Sequence, residues 1–348
     1  MLRIVDANLN RIGEGLRLLE DITRFILNDP DLSEQLKSLR HELLPKNRSV
    51  QKKLLNARQA EGDVGAFLDV ESEGERADAM SLVSANSRRV QQSLRVLEEV
   101  AKIHGQDIGL DWDKFKHARF KLYTLEQQIT LKLHRHNKIE KVAGLYVIID
   151  TKMLGGRSEV EVARQAIQGG ARMIQLRDKL RPKGMVMPVA RELKKLCAEA
   201  DVLFIVNDQL DLAISSDADG LHIGLEDLPF ADARKTLPGD KIIGCSSATL
   251  EEALQAEKQG ADYIAVGSIY PTLTKQDIRL AGLKTLRQVK KKVSVPVVAI
   301  GGINKDNIAD VVRAGADAVA VISAVLGADD VEKACRKLTA IINKGSAR

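Results

Sequence analysis

The chain has 348 residues, of which 44% are hydrophobic and 29% charged, and its formal net charge is +5. This excludes a disordered, collagenous or disulfide-stapled protein, and the length allows about two domains. Aromatic residues make up 3%, too few for a single-stranded nucleic-acid platform, and the mixed-sign charge argues against nucleic acid as a partner altogether.

The first 140 residues read as an all-α domain. Leu9, Ile12, Leu16, Leu19 and Ile22 recur at spacings of three and four, the stripe of an amphipathic helix. Arg3, Asp6 and Arg11 interrupt any signal-peptide core there. Asn28-Asp29-Pro30-Asp31 breaks the helix, with Asp31 or Ser33 as the cap of a second helix, which Pro45 interrupts or kinks. The acidic, glycine-containing stretch 61–75 reads as a loop. A helix is predicted over 76–103, ended by Gly105 and Gly109. Asp111 or Asp113 caps a last helix to about residue 134.

This half echoes itself. Val5-Asp6-Ala7-Asn8 and Arg11 lead to Leu16-Arg17 and Leu19-Glu20; Val83-Ser84-Ala85-Asn86 and Arg89 lead to Leu94-Arg95 and Leu97-Glu98, at a constant offset of 78. The pattern predicts a duplicated helical hairpin. The repeated polar residues would either pair the two repeats or bind an anion, and repeated helices usually bury each other.

Residues 142–348 alternate short apolar runs with helix-period segments. The predicted strands are 144–150, 173–177, 203–208, 220–224, 241–247, 263–269, 295–303 and 318–326; helices are predicted over 160–168, 188–200, 251–259, 304–314 and 331–342. Gly170-Ala171-Arg172, Gly260-Ala261-Asp262 and Gly315-Ala316-Asp317 stand where a helix must turn back into a strand. The fold class is therefore α/β: a C-terminal (β/α)8 TIM barrel preceded by an all-α helical domain. A doubly wound sheet is disfavoured, since no glycine-rich dinucleotide turn follows the first strand. The longest apolar stretch, 318–328, is too short to span a bilayer, so no membrane partner is expected. Cys197, Cys245 and Cys335 have neither metal nor disulfide spacing, which predicts a reducing, cytoplasmic setting.

In such a barrel the chemistry collects at strand C-termini. The second strand ends Gln175-Leu176-Arg177-Asp178-Lys179; Gln175 and Arg177 share a face, and Arg177 with Lys179 makes an anion clamp. The rival reading of Arg177 is a rim ion pair with Asp178. Asn207-Asp208 ends the third strand and Asp227 follows the fourth. Each aspartate alone could be a helix cap. Beside the clamp, the pair suits Mg²⁺, which takes few protein carboxylates. Ser246, after Gly244-Cys245, has no histidine beside it in sequence and reads as a hydrogen-bond donor. His222 reads as a core or rim residue. Thr272, Thr274 and Lys275 suit a second anion, as do Gly301-Gly302 and Ile322-Ser323 at the usual phosphate site of this fold. The inventory holds two anion pockets and no strong base. It suits a metal-bound diphosphate leaving while an already nucleophilic partner attacks.

Seven motifs in order carry a resemblance: Gln175 to Lys179, Val206-Asn207-Asp208, His222-Ile223-Gly224 through Asp227, Gly244-Cys245-Ser246, Pro271-Thr272-Leu273-Thr274-Lys275, Ala299-Ile300-Gly301-Gly302-Ile303 and Val321-Ile322-Ser323. Residues 142–348 resemble the thiamine-phosphate synthase (thiamine-phosphate pyrophosphorylase) family. The resemblance implies a transferase joining 4-amino-5-hydroxymethyl-2-methylpyrimidine diphosphate to 4-methyl-5-(2-hydroxyethyl)thiazole phosphate, giving thiamine phosphate and diphosphate with one Mg²⁺ per site. It implies Asp208 and Asp227 as the metal ligands. Gln175, Arg177, Asp178, Lys179, Asn207, Ser246 and Lys275 would bind the pyrimidine diphosphate, with Arg177, Lys179, Ser246 and Lys275 acting in catalysis. Thr272, Thr274, Gly301, Gly302, Ile322 and Ser323 would hold the thiazole phosphate. In the family's mechanism diphosphate departs first and the thiazole nitrogen attacks the resulting cation.

Two departures stand out. Ser268-Ile269-Tyr270 replaces the family's proline, aliphatic and phenylalanine, expected to be neutral. The helical half is absent from most members and resembles an extension found in some bacterial ones; it is expected to mediate self-association or docking of a pathway partner. A related thiazole tautomerase is the rival enzyme, but it uses a histidine after strand five, where Ser246-Ser247-Ala248-Thr249 has none.

Overall fold

The computed structural model describes residues 1–45, 47–58, 78–224, 227–272 and 279–346. The chain forms two compact units, Met1–Leu133 and His134–Arg348. No described helix is long and apolar enough to cross a membrane.

The first unit is helical. Helix α1 (Leu2–Phe25) buries Val5, Leu9, Ile12, Leu16, Leu19 and Ile22, the stripe the spacing predicts. Helix α2 (Pro30–Leu43) starts one turn earlier than expected. Asp29 is its cap, accepting from Leu32 N at 3.0 Å, and Pro30 loses nothing at a position whose N–H has no helical partner. Beyond Pro45 the chain re-enters a helix, α3 (Arg48–Ala57), capped by Asn47. Helix α4 (Ala79–Ile108) opens on a capping box of Asp78 and Ser81 and closes on Gly109, whose φ of +67° a residue with a Cβ rarely adopts. Gly105 lies inside α4 rather than ending it. Helix α5 (Trp112–Glu140) runs past the expected end near 134, and the division between the units falls within it. The loop expected over 61–75 lies outside the described residues.

The sequence echo is a structural one. Asn8 donates to Ile4 O at 2.8 Å and Asn86 to Leu82 O at 2.9 Å. Glu20 pairs with Arg40 at 2.8 Å, and Glu98 with Arg119 at 3.1 Å. Arg17 and Arg95 reach the same two glutamates from one turn away. The repeated carboxylates, Glu20 and Glu98, are thus paired within the unit, as buried carboxylates must be. A Cβ on Gly15 would stand 2.4 Å from Val90 Cγ2, so glycine sets how closely α1 approaches α4.

The second unit is a closed barrel of eight parallel strands in chain order. They are β1 (Gly144–Asp150), β2 (Ala171–Arg177), β3 (Leu203–Asn207), β4 (Gly220–Ile223), β5 (Ile242–Ser247), β6 (Tyr263–Val266), β7 (Val297–Ile300) and β8 (Ala318–Val321). Alternation divides each strand between two cores. Leu145, Val147 and Ile149 face the outer helices, while Tyr146 and Ile148 fill the barrel with Met173, Ile205, Tyr263 and Val298. The helices are α6 (Glu159–Gln168), α7 (Lys183–Glu199), α8 (Leu210–Ser215), α9 (Phe230–Thr236), α10 (Leu250–Lys258), α11 (Gly282–Lys290), α12 (Ile308–Arg313), α13 (Ser323–Leu326) and α14 (Val331–Ser346). Gly170, Gly260 and Gly315 have φ of +95° to +98°, which explains why the helix-to-strand turns repeat that residue.

Three expectations are revised. The apolar run 318–326 is a strand only to Val321, because Val325 and Leu326 continue it as buried helix. Helix α7 begins five residues before Pro188, which sits inside it. Helix α12 begins at Ile308, since Asn304, Asp306 and Asn307 satisfy one another in a turn first.

Candidate active site

Strand C-termini surround a cavity of about 600 Å³. Gln175, Arg177, Lys179, Asn207, Asp208, Asp227, Ser246, Thr272, Gly301, Gly302, Ile322 and Ser323 line it together. Thr274 and Lys275 lie outside the described residues. Asp178 does not line the cavity: it follows the inward Arg177 and points the other way. Its carboxylate is buried, accepts from Leu180 N and Arg181 N at 3.0 Å each, and pairs with Arg181. Asp178 therefore shapes the loop behind the clamp, its carboxylate engaged there and not facing the cavity.

The clamp is preorganised by carboxylates. Arg177 pairs with Asp150, its register partner across β1 and β2. Asp150 is 3% exposed, and no local motif in the sequence marks it. Lys179 reaches Asp208 Oδ2 at 2.7 Å. Asp208 itself sits at φ +60°, a conformation tolerated by aspartate better than by most residues. Burial pushes its carboxyl up, as does the adjacent Asp227 carboxyl, while Lys179 pulls it down. Asp227 Oδ2 accepts from Gly224 N at 2.7 Å, which fixes one oxygen. Two carboxyls held within hydrogen-bonding reach of one another are a donor set that suits a divalent cation.

The floor of the cavity is a chain of buried polar groups. Gln175 Nε2 donates to Tyr146 Oη at 2.6 Å. Tyr146 and Tyr263 hydroxyls are 3.3 Å apart. Tyr263 Oη lies 3.1 Å from His222 Nδ1, and His222 Nε2 lies 3.0 Å from Ser246 Oγ. Burial raises both phenols above their ordinary range, so they stay protonated. The sequence places no histidine beside Ser246, yet β4 and β5 do: His222 pairs in register with Gly244, two residues before it. Cys245 faces the outer core, and burial pushes its thiol up to about 12, which leaves it no nucleophile.

At the opposite side the backbone turns through glycines at positive φ. Gly301 and Gly302 have φ of +101° and +65°. A Cβ on Gly302 would stand 2.6 Å from Pro271 O, and one on Gly301 2.1 Å from Ser268 Oγ. Ser268 donates to Tyr270 O at 2.6 Å, so its departure from the family pattern is absorbed by a local hydrogen bond.

Residues 145–325 match the family model described as thiamine monophosphate synthase, and residues 3–128 match that of the ThiD2 family. The thiamine-phosphate synthase of Synechocystis sp. (strain ATCC 27184 / PCC 6803 / Kazusa) is 38% identical over 97% of this chain and 94% of its own. That of Moorella thermoacetica is 49% identical over 59% of this chain and 98% of its own. The solved thiamine phosphate pyrophosphorylase from Pyrococcus furiosus is 46% identical, with a TM-score of 0.56, covering 60% of this chain and 99% of that one.

Proposed function

The chain belongs to the thiamine monophosphate synthase family, and from that premise we propose how the barrel rim carries out the reaction. The chain is a transferase of thiamine biosynthesis. It condenses 4-amino-5-hydroxymethyl-2-methylpyrimidine diphosphate with 4-methyl-5-(2-hydroxyethyl)thiazole phosphate to give thiamine phosphate and diphosphate. The observation that carries the assignment of roles is the meeting of Arg177, Lys179, Asp208 and Asp227 on one wall.

Asp208 and Asp227 would hold one Mg²⁺, which would relieve their mutual repulsion. When bound, that ion neutralises charge accumulating on the departing diphosphate. Arg177 and Lys179 grip the diphosphate oxygens, and Asp150 keeps the guanidinium aimed. Asn207 adds a polar contact on that wall. Ser246 and Gln175 hold the pyrimidine, and by motif Lys275 joins them. Thr272, Gly301, Gly302, Ile322 and Ser323 seat the thiazole phosphate, with Thr274 by motif. The C–O bond to diphosphate breaks, and the thiazole nitrogen lone pair forms the new C–N bond. That nitrogen carries no proton, so the step needs no base. The protein's contribution is alignment and charge stabilisation.

The test is diphosphate release from the two substrates with Mg²⁺. Asp208→Ala and Asp227→Ala are expected to abolish release, to lose calorimetric Mg²⁺ binding and to keep the barrel's circular dichroism. Full Mg²⁺ binding in both variants would remove the metal assignment; no release by the parent protein would remove the reaction. For the helical unit the proposal is self-association, supported by Trp112, Phe120 and Tyr123, which are 42–55% exposed. A monomeric full-length protein in light scattering would end it.

A further inference from the structure

The loop after β1 reaches both sides of the cavity. At its start Asp150 pairs with Arg177 through Oδ2, and its Oδ1 accepts from Lys152 N at 3.1 Å, capping a single 3-10 turn over Thr151–Met153. Near its end stands Arg157, whose backbone N and Nε both donate to Leu154 O, at 3.1 and 3.0 Å. Leu154 is buried in the outer core, so the guanidinium is anchored by its own turn. The two terminal nitrogens cross to the loop after β8: Nη1 donates to Ala328 O at 3.2 Å and Nη2 to Leu326 O. Those carbonyls end the segment that begins with the cavity-lining Ile322 and Ser323. The segment is one tight turn. Ile322 O accepts from Val325 N at 3.1 Å and Leu326 N at 2.8 Å, and Ser323 O accepts from Gly327 N at 3.0 Å. A Cβ on Gly327 would stand 2.8 Å from Ser323 O, so glycine lets the turn close. A displacement at Leu326 is therefore passed back to Ser323.

We propose that Arg157 is a positioning residue: its guanidinium fork on Leu326 O and Ala328 O sets the orientation of residues 322–328, and with it the seat of the thiazole phosphate. The inference rests on the functional reading above. Arg157 does not line the cavity and acts only through that segment. Val325 and Leu326 are buried, but apolar burial has no direction: it holds the depth of the turn and leaves its rotation to hydrogen bonds. The last carbonyls of a helix have no helical partner, and a cation is the favoured group to meet them. A planar fork meets two carbonyls and Leu154 O at once, whereas a lysine brings all its donors from one atom. The loop after β1 is thus a common frame for the two substrates. Asp150 aims the diphosphate clamp from one end of it, and Arg157 aims the phosphate seat from the other. Loss of Arg157 should therefore be felt by one substrate and not by both.

The experiment measures diphosphate release by the full chain and by its Arg157→Met and Arg157→Lys variants, varying each substrate in turn. Arg157→Met is expected to raise KM for the thiazole phosphate by about tenfold and to keep KM for the pyrimidine diphosphate within about twofold, on a scale where a 1 Å misplacement costs about 10². Arg157→Lys keeps the charge and the apolar stem without the fork, and its thiazole KM is expected to fall between the two. A merely structural role would alter both KM values alike or neither, and either result overturns the proposal. A parent-like thiazole KM in Arg157→Lys would reduce the effect to charge and overturn it too. A second readout needs no turnover. Hydrogen exchange followed by mass spectrometry is expected to speed up in peptides covering residues 322–328 of both variants and to stay unchanged in those covering the other strands. Unaltered exchange over 322–328 overturns the proposal. Should Arg157→Met lose its circular dichroism, the lysine variant decides on both readouts. Absence of release by the parent protein would strike the functional reading instead, and the exchange would still decide whether Arg157 orients the turn.

Discussion

The base of the barrel is closed by the end of α5, and removing that end should cost the barrel a large part of its stability. Val142 is 2% exposed and packs with Tyr146, Met173 and Leu203 inside the barrel, with Ile139 against them. Arg135 pairs with Asp262 at 3.4 Å, and Lys138 with Asp240 at 3.0 Å. Asp262 also meets Arg234 at 3.5 Å and accepts from Ile243 N at 2.8 Å. A fragment of residues 143–348 loses all the α5 groups; one of residues 134–348 keeps them. Burying a valine contributes about 2 kcal/mol. Depriving the buried Asp262 of one guanidinium costs about 1–3 kcal/mol, and the half-open lysine pair about 1 kcal/mol. The sum, about 4–6 kcal/mol, compares with a total of about 5–15 for a domain. For a unit of this size it lowers Tm by about 10–20 °C. Thermal melts of the two fragments by circular dichroism measure it. Burial already pushes the Asp262 carboxyl up, against Arg135, the Ile243 N–H and Arg234. A carboxyl raised in the folded state costs stability as pH rises above its unfolded value, so losing Arg135 should widen the gap between the fragments as pH rises from that value. Melting within about 3 °C of each other at pH 7 would refute the reasoning.

Two other perturbations probe the phosphate seat and the helical repeat. Gly302→Ala places a Cβ 2.6 Å from Pro271 O at a φ of +65°. The variant should fold, raise KM for the thiazole phosphate by about tenfold or more and leave KM for the pyrimidine diphosphate near that of the parent; unchanged thiazole KM would separate that glycine from the phosphate. In the helical unit, Glu20→Ala and Glu98→Ala each strand a mostly buried arginine, Arg40 or Arg119. Each should cost about 3–5 kcal/mol. Fluorescence of the single tryptophan, Trp112, followed in urea reports this, and a costless substitution at either glutamate would refute the buried-pair reading there.

How much of the molecule is legible in the sequence depends on the range of the interaction concerned. The α1 stripe and the eight strands are local periodicities, set by side chains a few residues apart, and the structure follows them. The ends of elements are harder. Apolar character alone does not separate β8 from α13, because both bury side chains in the same core. The orientation of Asp178 is readable: if Gln175 and Arg177 face inward, the residue between Arg177 and Lys179 faces outward, and it does. His222 against Ser246 and Asp150 against Arg177 are hidden for another reason. They lie 24 and 27 residues apart, and nothing near either residue names its partner.

Yet a barrel with its strands in chain order restores that information. Adjacent strands pair in parallel, so one register per pair fixes which inward positions meet: Asp150 opposite Arg177, and His222 one inward step below Ser246. Tyr146 and Tyr263, 117 residues apart, meet because both point into a barrel narrow enough for inward side chains to touch across it. Long-range polar contacts in this fold are therefore second-order consequences of a local pattern. They become legible once closure is granted, because closure turns an alternation along each strand into a ring of neighbours.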